Sequence, residues 1–216
     1  MNLLVVDVGG THVKLLATGR RVPLKLPSGP KLGPRDMVRA VLAATAAWRY
    51  DVVSIGYPGP VVRGKPLRDP HNLAPGWTRF DFARAFGRRV QIMNDAAMQA
   101  LGSYDGGRML FLGLGTGLGT ALVEEGAVLP MELAHLPYRN SRTFEDYLGL
   151  RGLERLGVRK WQKHVHEVSE MLRTATVADH VVLGGGNVKK LLRLPPHAHR
   201  GDNQNAFRGG FRMWAR

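Results

Sequence analysis

The chain has 216 residues, 44% of them apolar, with a formal net charge of +14 and no cysteine. That length fills one large domain or two small ones, and the apolar share is enough for real hydrophobic cores. Without cysteine there can be no disulfide, thiolate metal site or thiol nucleophile, so a zinc ion would have to rely on His and carboxylates alone. No apolar run reaches membrane-spanning length, and Leu3 to Val6 runs into Asp7 without a basic lead or a cleavage site. The expectation is a cytoplasmic protein with no membrane partner. The positive charge, denser from Lys189 to Arg216, fits either a polyanionic partner such as polyphosphate or nucleic acid, or a well-solvated exterior. No basic stretch carries the aromatic interleaving of a single-strand binder, which counts against nucleic acid.

In chain order, Leu3 to Asp7 and Val13 to Ala17 read as paired strands around a Gly/Thr turn, and the Pro/Gly-rich Pro23 to Pro34 as a loop. Met37, Val38, Val41, Leu42, Thr45 and Trp48 recur at helical spacing from Asp36 to Trp48. A buried strand, Val52 to Ile55, then ends in the rigid turn Gly56-Tyr57-Pro58-Gly59-Pro60, and a long irregular stretch from Val61 to Thr78 follows. Loops of that length are usually functional, and substrate binding is the expectation here. Val90 to Met93 is a strand running into Asn94-Asp95-Ala96-Ala97, where a helix continues to about Tyr104. Met109 to Val128 repeats the first hairpin, setting Asp7-Val8-Gly9-Gly10-Thr11 against Gly113-Leu114-Gly115-Thr116-Gly117. Helical patterns come next at about Thr143 to Leu156 and Lys160 to Thr174, then a strand, Val181 to Leu183, opening onto Gly184-Gly185-Gly186 and another helix. Pro195 to Arg216 shows no period and reads as an irregular basic tail. The order implies a duplicated hairpin-plus-α/β unit: an N-terminal lobe over 1–107, a C-terminal lobe over 108–194, and a cleft between them.

Each chemical constellation has a plainer alternative. In Asp7 to Lys14 a carboxylate, turn amides and a cation suit Mg²⁺ held through water and a phosphate, although an ordinary hairpin would look the same. The alternating glycines from Leu112 to Thr120 match neither the dinucleotide fingerprint nor the Lys-Ser/Thr phosphate loop, and a bulge would also explain them. Asp95 at a strand-to-helix corner can accept the proton of an attacking hydroxyl, or merely cap the helix. Glu132 and His135, one helical turn apart, can bind vicinal sugar hydroxyls.

Together, Asp7 to Thr11, Gly56 to Gly59, His71-Asn72-Leu73 with Trp77, Asn94-Asp95-Ala96, Leu112 to Thr120, Glu132 to His135 and Gly184 to Gly186 resemble, in order and spacing, the ROK sugar kinases. The likeness is greatest to the polyphosphate glucokinase branch and runs from about Leu3 to Leu192. It implies an α/β chain with the actin-like ATPase, ribonuclease H-like fold, its two duplicated lobes closing over a sugar and a phosphoryl donor. The implied activity is transfer of a phosphoryl group from polyphosphate or ATP to a hexose, glucose giving glucose 6-phosphate. A kinase-like protein that binds sugar or phosphate without turnover is the alternative. By resemblance, Asp95 is the general base, and Asn72, Asn94, Asp95, Glu132, His135 and Glu154 hold the sugar. Asp7, Gly9, Gly10, Thr11 and Lys14 face donor phosphate, with Asp7 on Mg²⁺. Gly115, Thr116 and Gly117 stand opposite, and Gly184, Gly185 and Gly186 line the distal donor pocket. A homodimer is the implied assembly. The family's repressors carry a helix-turn-helix ahead of the first phosphate strand; here that strand begins at Leu3. Three departures stand out, one being a short chain with trimmed segments between Ala134 and Trp161, which implies shallower donor and sugar pockets. Without cysteine no zinc is expected beside His135, so another group must orient it. Ala134 replaces the usual Gly, which would strain any turn needing positive φ there.

Overall fold

In a computed structural model that describes residues 1–202 and 204–215, β1 (Leu3–Val8) is buried along its whole length. A continuous apolar run of this kind marks a strand covered on both faces. It pairs antiparallel with β2 (His12–Ala17), which in turn holds β3 (Leu24–Pro27) on the outer edge. After α1 (Pro34–Ala44), β4 (Val52–Tyr57) lies parallel to β1. A small hairpin of β5 (Val61–Val62) and β6 (Lys65–Pro66), α2 (Phe82–Phe86), β7 (Arg89–Asn94) and α3 (Asp95–Ser103) complete this half. The sheet order is β3-β2-β1-β4-β7.

The second sheet repeats that plan with β8 (Met109–Leu114), β9 (Leu118–Glu124) and β10 (Ala127–Met131) as the antiparallel part. Then come α4 (Phe144–Leu148), α5 (Leu150–Ala175), β11 (His180–Gly184) and β12 (Ala198–Arg200), in the order β10-β9-β8-β11-β12. The expected duplication is thus present as two matching five-stranded mixed sheets. Between them lies α3, whose Ala96, Ala97 and Ala100 pack on Phe111, Ala121 and Val182 of the second sheet. Among the described residues, no helix is long and apolar enough to cross a membrane.

Four expectations need correction. The Pro23 to Pro34 loop contains β3, an edge strand with little burial and so no alternation to read. The helix expected after Gly186 is a single 3₁₀ turn, Val188–Lys190. The first helical pattern after Thr143 is split at Gly149 into a short α4, with Thr143 and Asp146 forming a capping box, and the start of α5, while the expected break between Leu156 and Lys160 falls at the non-helical Gly157, whose φ is 71°. The largest correction concerns the tail. Its described residues from Pro195 to Ala215 are not irregular, because β12 closes the second sheet and α6 (Asn205–Arg212) packs across α3 and β1. Its glycines, which read as loop, permit close helix contact. A Cβ at Gly209 would overlap the Met98 carbonyl oxygen, and one at Gly102 the Asn205 carbonyl oxygen. Ser54, fully buried on β4, donates to Gly210 O at 2.6 Å and accepts from Trp214 Nε1 at 2.9 Å.

Candidate active site

The carboxylates expected to do chemistry lie at the C-terminal ends of parallel strands, where open α/β sheets form their crevices. Asp7, one residue from the end of β1, lies beside Gly56 of β4, and Asn94 ends β7 beside Tyr57. Asp7 is 6% exposed and accepts from Lys14 Nζ at 3.1 Å, the two residues being cross-strand partners. Asn94 caps α3: its Oδ1 accepts from Ala97 N–H at 3.0 Å while its Nδ2 donates to Gly59 O at 3.0 Å. The capping role open to Asp95 is therefore filled by its neighbour. Asp95 is instead the first residue of α3, and its Oδ1 accepts from Ala96 N–H at 2.8 Å. Burial, and then the charge of Asp7, push the Asp95 carboxyl up to about 7, against the pull of the Ala96 amide and Lys14.

The long loop after β4 owes its order to a residue that sequence reasoning missed. Asp69 accepts from the N–H groups of Gly76, Trp77 and Thr78 at 3.0, 2.8 and 3.2 Å. Those bonds, Gly76 foremost, hold its carboxyl below the usual carboxylate range. The available signal was an Asp-Pro at a loop start, a common seed of side-chain-to-backbone turns. Tyr57 Oη donates to Arg68 O at 2.7 Å, and the fully buried Trp77 ring sits 5.9 Å from that of Tyr57. The loop so held walls a cavity of about 450 Å³ lined in part by Gly10, His71, Asn72, Glu132 and His135. We expect Asp69→Ala to lower unfolding stability by roughly 1–2 kcal/mol at pH 7. Because the folded carboxyl titrates below its unfolded value of about 4, the deficit should be full above pH 4 and fade as the pH drops through the lowered folded value. Urea melts over that range measure it; a deficit independent of pH would contradict the assignment.

Glu132 precedes, and His135 ends, a 3₁₀ turn, Leu133–His135, that follows β10. Their side chains approach to 3.9 Å and are more than half exposed. Ala134 is buried in that turn and is not a positive-φ residue, so the expected strain does not arise.

Not every expected phosphate amide is free. Gly9 N–H donates to His12 O at 3.0 Å, and Gly115 N–H to the carbonyls of Gly113 and Gly117. The amides of Gly10, Thr11, Thr116 and Gly117 meet no acceptor among the described residues. The second turn is braced from behind: Asn187 Nδ2 donates to Gly115 O at 2.8 Å, and Thr116 O accepts from Leu150 N–H at 3.1 Å. Glu145, also missed, accepts from Leu118 N–H at 3.2 Å, and a Cβ at Gly117 would run into its carboxylate. Gly185, with φ 84°, lies against Leu114. With Gly186, Lys189 and Arg200 it lines a second cavity of about 390 Å³, which Gly184 does not border. Glu154, like Asn94 and Asp95, stands outside the group Asn72, Glu132 and His135. It is exposed on α5 beside the buried Leu153 and does not line the first cavity.

A metal must be placed by the same residues. Among the described residues, no group of three or more His, Asp or Glu could hold an ion alone. Asp7, close enough to Asp95 to raise its pKa, does fit a hydrated Mg²⁺ whose other ligands are water and phosphate oxygens.

No family model matches the chain. Its sequence is 24% identical over 212 residues to a polyphosphate glucokinase of Mycobacterium leprae, covering 88% of this chain and 65% of that one. It is 27% identical over 216 residues to a polyphosphate glucokinase of Mycobacterium tuberculosis, covering 88% and 80%. The chain thus spans just under two thirds of the first of these relatives. In structure it is similar to an inorganic polyphosphate/ATP-glucomannokinase from Arthrobacter, with TM-score 0.83, 22% identity and 99% and 98% coverage. It is also similar to a ROK hexokinase from Thermus thermophilus, with TM-score 0.73, 23% identity and 97% and 96% coverage. The chain has the actin-like fold of the ROK sugar kinases, and across most of its length its sequence resembles the polyphosphate glucokinases.

Proposed function

We propose that the protein transfers a terminal phosphoryl group from polyphosphate or ATP to a hexose hydroxyl, glucose giving glucose 6-phosphate. The observation that carries this is Asp95: a carboxylate at the mouth of parallel strands, pushed up to about 7, next to Asp7 and the first glycine turn. A base poised near neutral pH is what abstraction of a hydroxyl proton requires. The sugar oxygen bonds to the terminal phosphorus, the phosphorus–oxygen bond to the rest of the donor breaks, and the hydroxyl proton passes to Asp95.

Asn72, Glu132 and His135 line one cavity and would hold the sugar hydroxyls. Asn94 has each polar atom engaged once, which leaves one N–H and one lone pair to orient the acceptor. Glu154 has no part in this reading. The free amides of Gly10, Thr11, Thr116 and Gly117 would receive donor oxygens, with Lys14 opposing their charge. Gly185 and Gly186 would flank the distal donor. Asp7 would hold Mg²⁺ through water, and the ion when bound would neutralise phosphate charge. Lys189 and Arg200 beside Gly185 and Gly186 favour a donor with a long phosphate tail. A cytoplasmic setting and a homodimer belong to this same reading.

A coupled assay across hexoses tests the activity, and binding of glucose without turnover would favour the non-catalytic alternative. For the donor, raising salt from about 50 to about 200 mM is expected to weaken polyphosphate-driven turnover several-fold more than ATP-driven turnover, since a longer polyanion releases more counterions. Equal salt slopes would remove the basic-track argument.

A further inference from the structure

Glu132 and His135 are weakly held by their own side chains, which are more than half exposed and only 3.9 Å from each other at their nearest atoms. Their placement over the cavity therefore depends on the backbone turn that carries them. That turn is tied at both ends. Upstream, Thr120, 2% exposed, donates through Oγ1 to Met131 O at 2.6 Å and accepts from Leu133 N–H at 3.2 Å. Downstream, the chain enters a tight hairpin in which Tyr138 N–H donates to Arg142 O at 2.8 Å and Phe144 N–H to Leu136 O at 3.2 Å.

The hairpin delivers Tyr138 into a group of rings. Its centroid is 5.3 Å from Phe144, 5.0 Å and edge-on from Tyr147, and 5.7 Å and perpendicular from His164. Tyr138 Oη lies 3.1 Å from His164 Nδ1, and the imidazole is 4.6 Å from the Tyr147 ring. His164 stands on α5 between Trp161 and Val165, both fully buried, so the helix under it is anchored in the core. Burial pushes the Tyr138 phenol up to about 12, so it keeps its proton. Burial, with Arg139 and Arg155 against the opposing Glu167, holds His164 below the usual imidazole range. Tyr138 Oη and His164 Nδ1 therefore share a hydrogen bond whose direction follows the imidazole tautomer, and the Glu167 carboxylate is a second partner for the phenol.

We propose that the Tyr138–His164 pair is a positioning lock that fixes the Glu132–His135 turn to α5 and thereby sets sugar affinity without touching the sugar. The lock rests on the hexose reading above only for its effect on affinity. It also answers what orients His135 in a chain without cysteine, namely the backbone, through a ring cluster one hairpin away.

The test uses Tyr138→Phe, which removes one hydroxyl and keeps the ring, beside His164→Leu and His164→Asn, the last placing an amide oxygen near the position of Nδ1. In the ligand-free protein, amide hydrogen exchange over Glu132 to Leu136 is expected to quicken about fivefold in Tyr138→Phe and His164→Leu, with β8 unchanged. In steady state the glucose KM should rise about five- to tenfold while kcat and the donor KM stay within about twofold. His164→Asn should recover most of the difference. Unchanged exchange at the turn, or sugar and donor KM rising together, would overturn the lock. If the wild-type protein neither binds nor phosphorylates a hexose, the proposed function fails, and the exchange measurement still decides the lock.

Discussion

Replacing Asp95 with Asn is expected to lower kcat for sugar phosphorylation by about 10²- to 10⁴-fold, the usual worth of a positioned general base, while sugar binding survives. The substitution keeps the size of the side chain and its acceptor for the Ala96 amide, so α3 should still start in place. In the wild-type protein, kcat/KM should rise with pH through about 7, the value to which burial and Asp7 push the carboxyl. The same shift has an opposite sign for stability. The folded state holds this proton more tightly than the unfolded chain, whose Asp titrates near 4, so stability is lost as pH rises from about 4 through 7. Asp95→Asn escapes that loss and should be more stable by roughly 1–3 kcal/mol at pH 8, with little difference below pH 4. Turnover near the wild-type rate would remove Asp95 from the role of base. A stability gain as large at pH 4 as at pH 8 would mean that its ionisation is not the cause.

That site was legible because local signals and topology agree there. Asp7 closes an unbroken apolar strand, and Asn94-Asp95 joins a strand to a helix, so both carboxylates had to emerge at strand ends. The two glycine turns were visible as a repeat, and the matched sheets confirm the duplication. Their amides were harder to assign, since turn geometry determines which N–H is already bonded: Gly9 and Gly115 donate within the turns, whereas Gly10 and Thr116 do not.

Other features lie beyond local pattern. Glu154 follows Leu153 on α5, and because Leu153 points into the core the next side chain is rotated about 100° away and faces solvent. Asp69 acts through three amides whose positions depend on the fold of its own loop. Glu145 became apparent only when α4 was seen seated on the second glycine turn. The chain terminus misled most. Gly209 and Gly210 lower helix propensity, and only the presence of α3 and β1 makes a helix of that stretch favourable.

Those glycines carry the second large effect. Gly209→Ala is expected to destabilise the protein by about 3 kcal/mol, because the new methyl group would meet the Met98 carbonyl oxygen, and backbone cannot swing aside as a side chain can. For a chain of this size that corresponds to a fall in Tm of about 6–12 °C. Arg208→Ala, one residue away and exposed, should change stability by no more than about 0.5 kcal/mol. The damage should also reach catalysis. Arg212 Nη1 donates to the carbonyls of Leu101 and Tyr104 at 2.7 Å each, and Asn205 Nδ2 to Ser103 Oγ at 2.8 Å, so α6 grips the far end of the helix that Asp95 begins. A shift of α6 therefore displaces α3 and Asp95 with it. At a temperature where Gly209→Ala remains folded, kcat should fall about tenfold while Arg208→Ala keeps wild-type turnover. A Gly209→Ala protein that melts within about 1 °C of wild type would show that α6 is not clamped against α3 in solution.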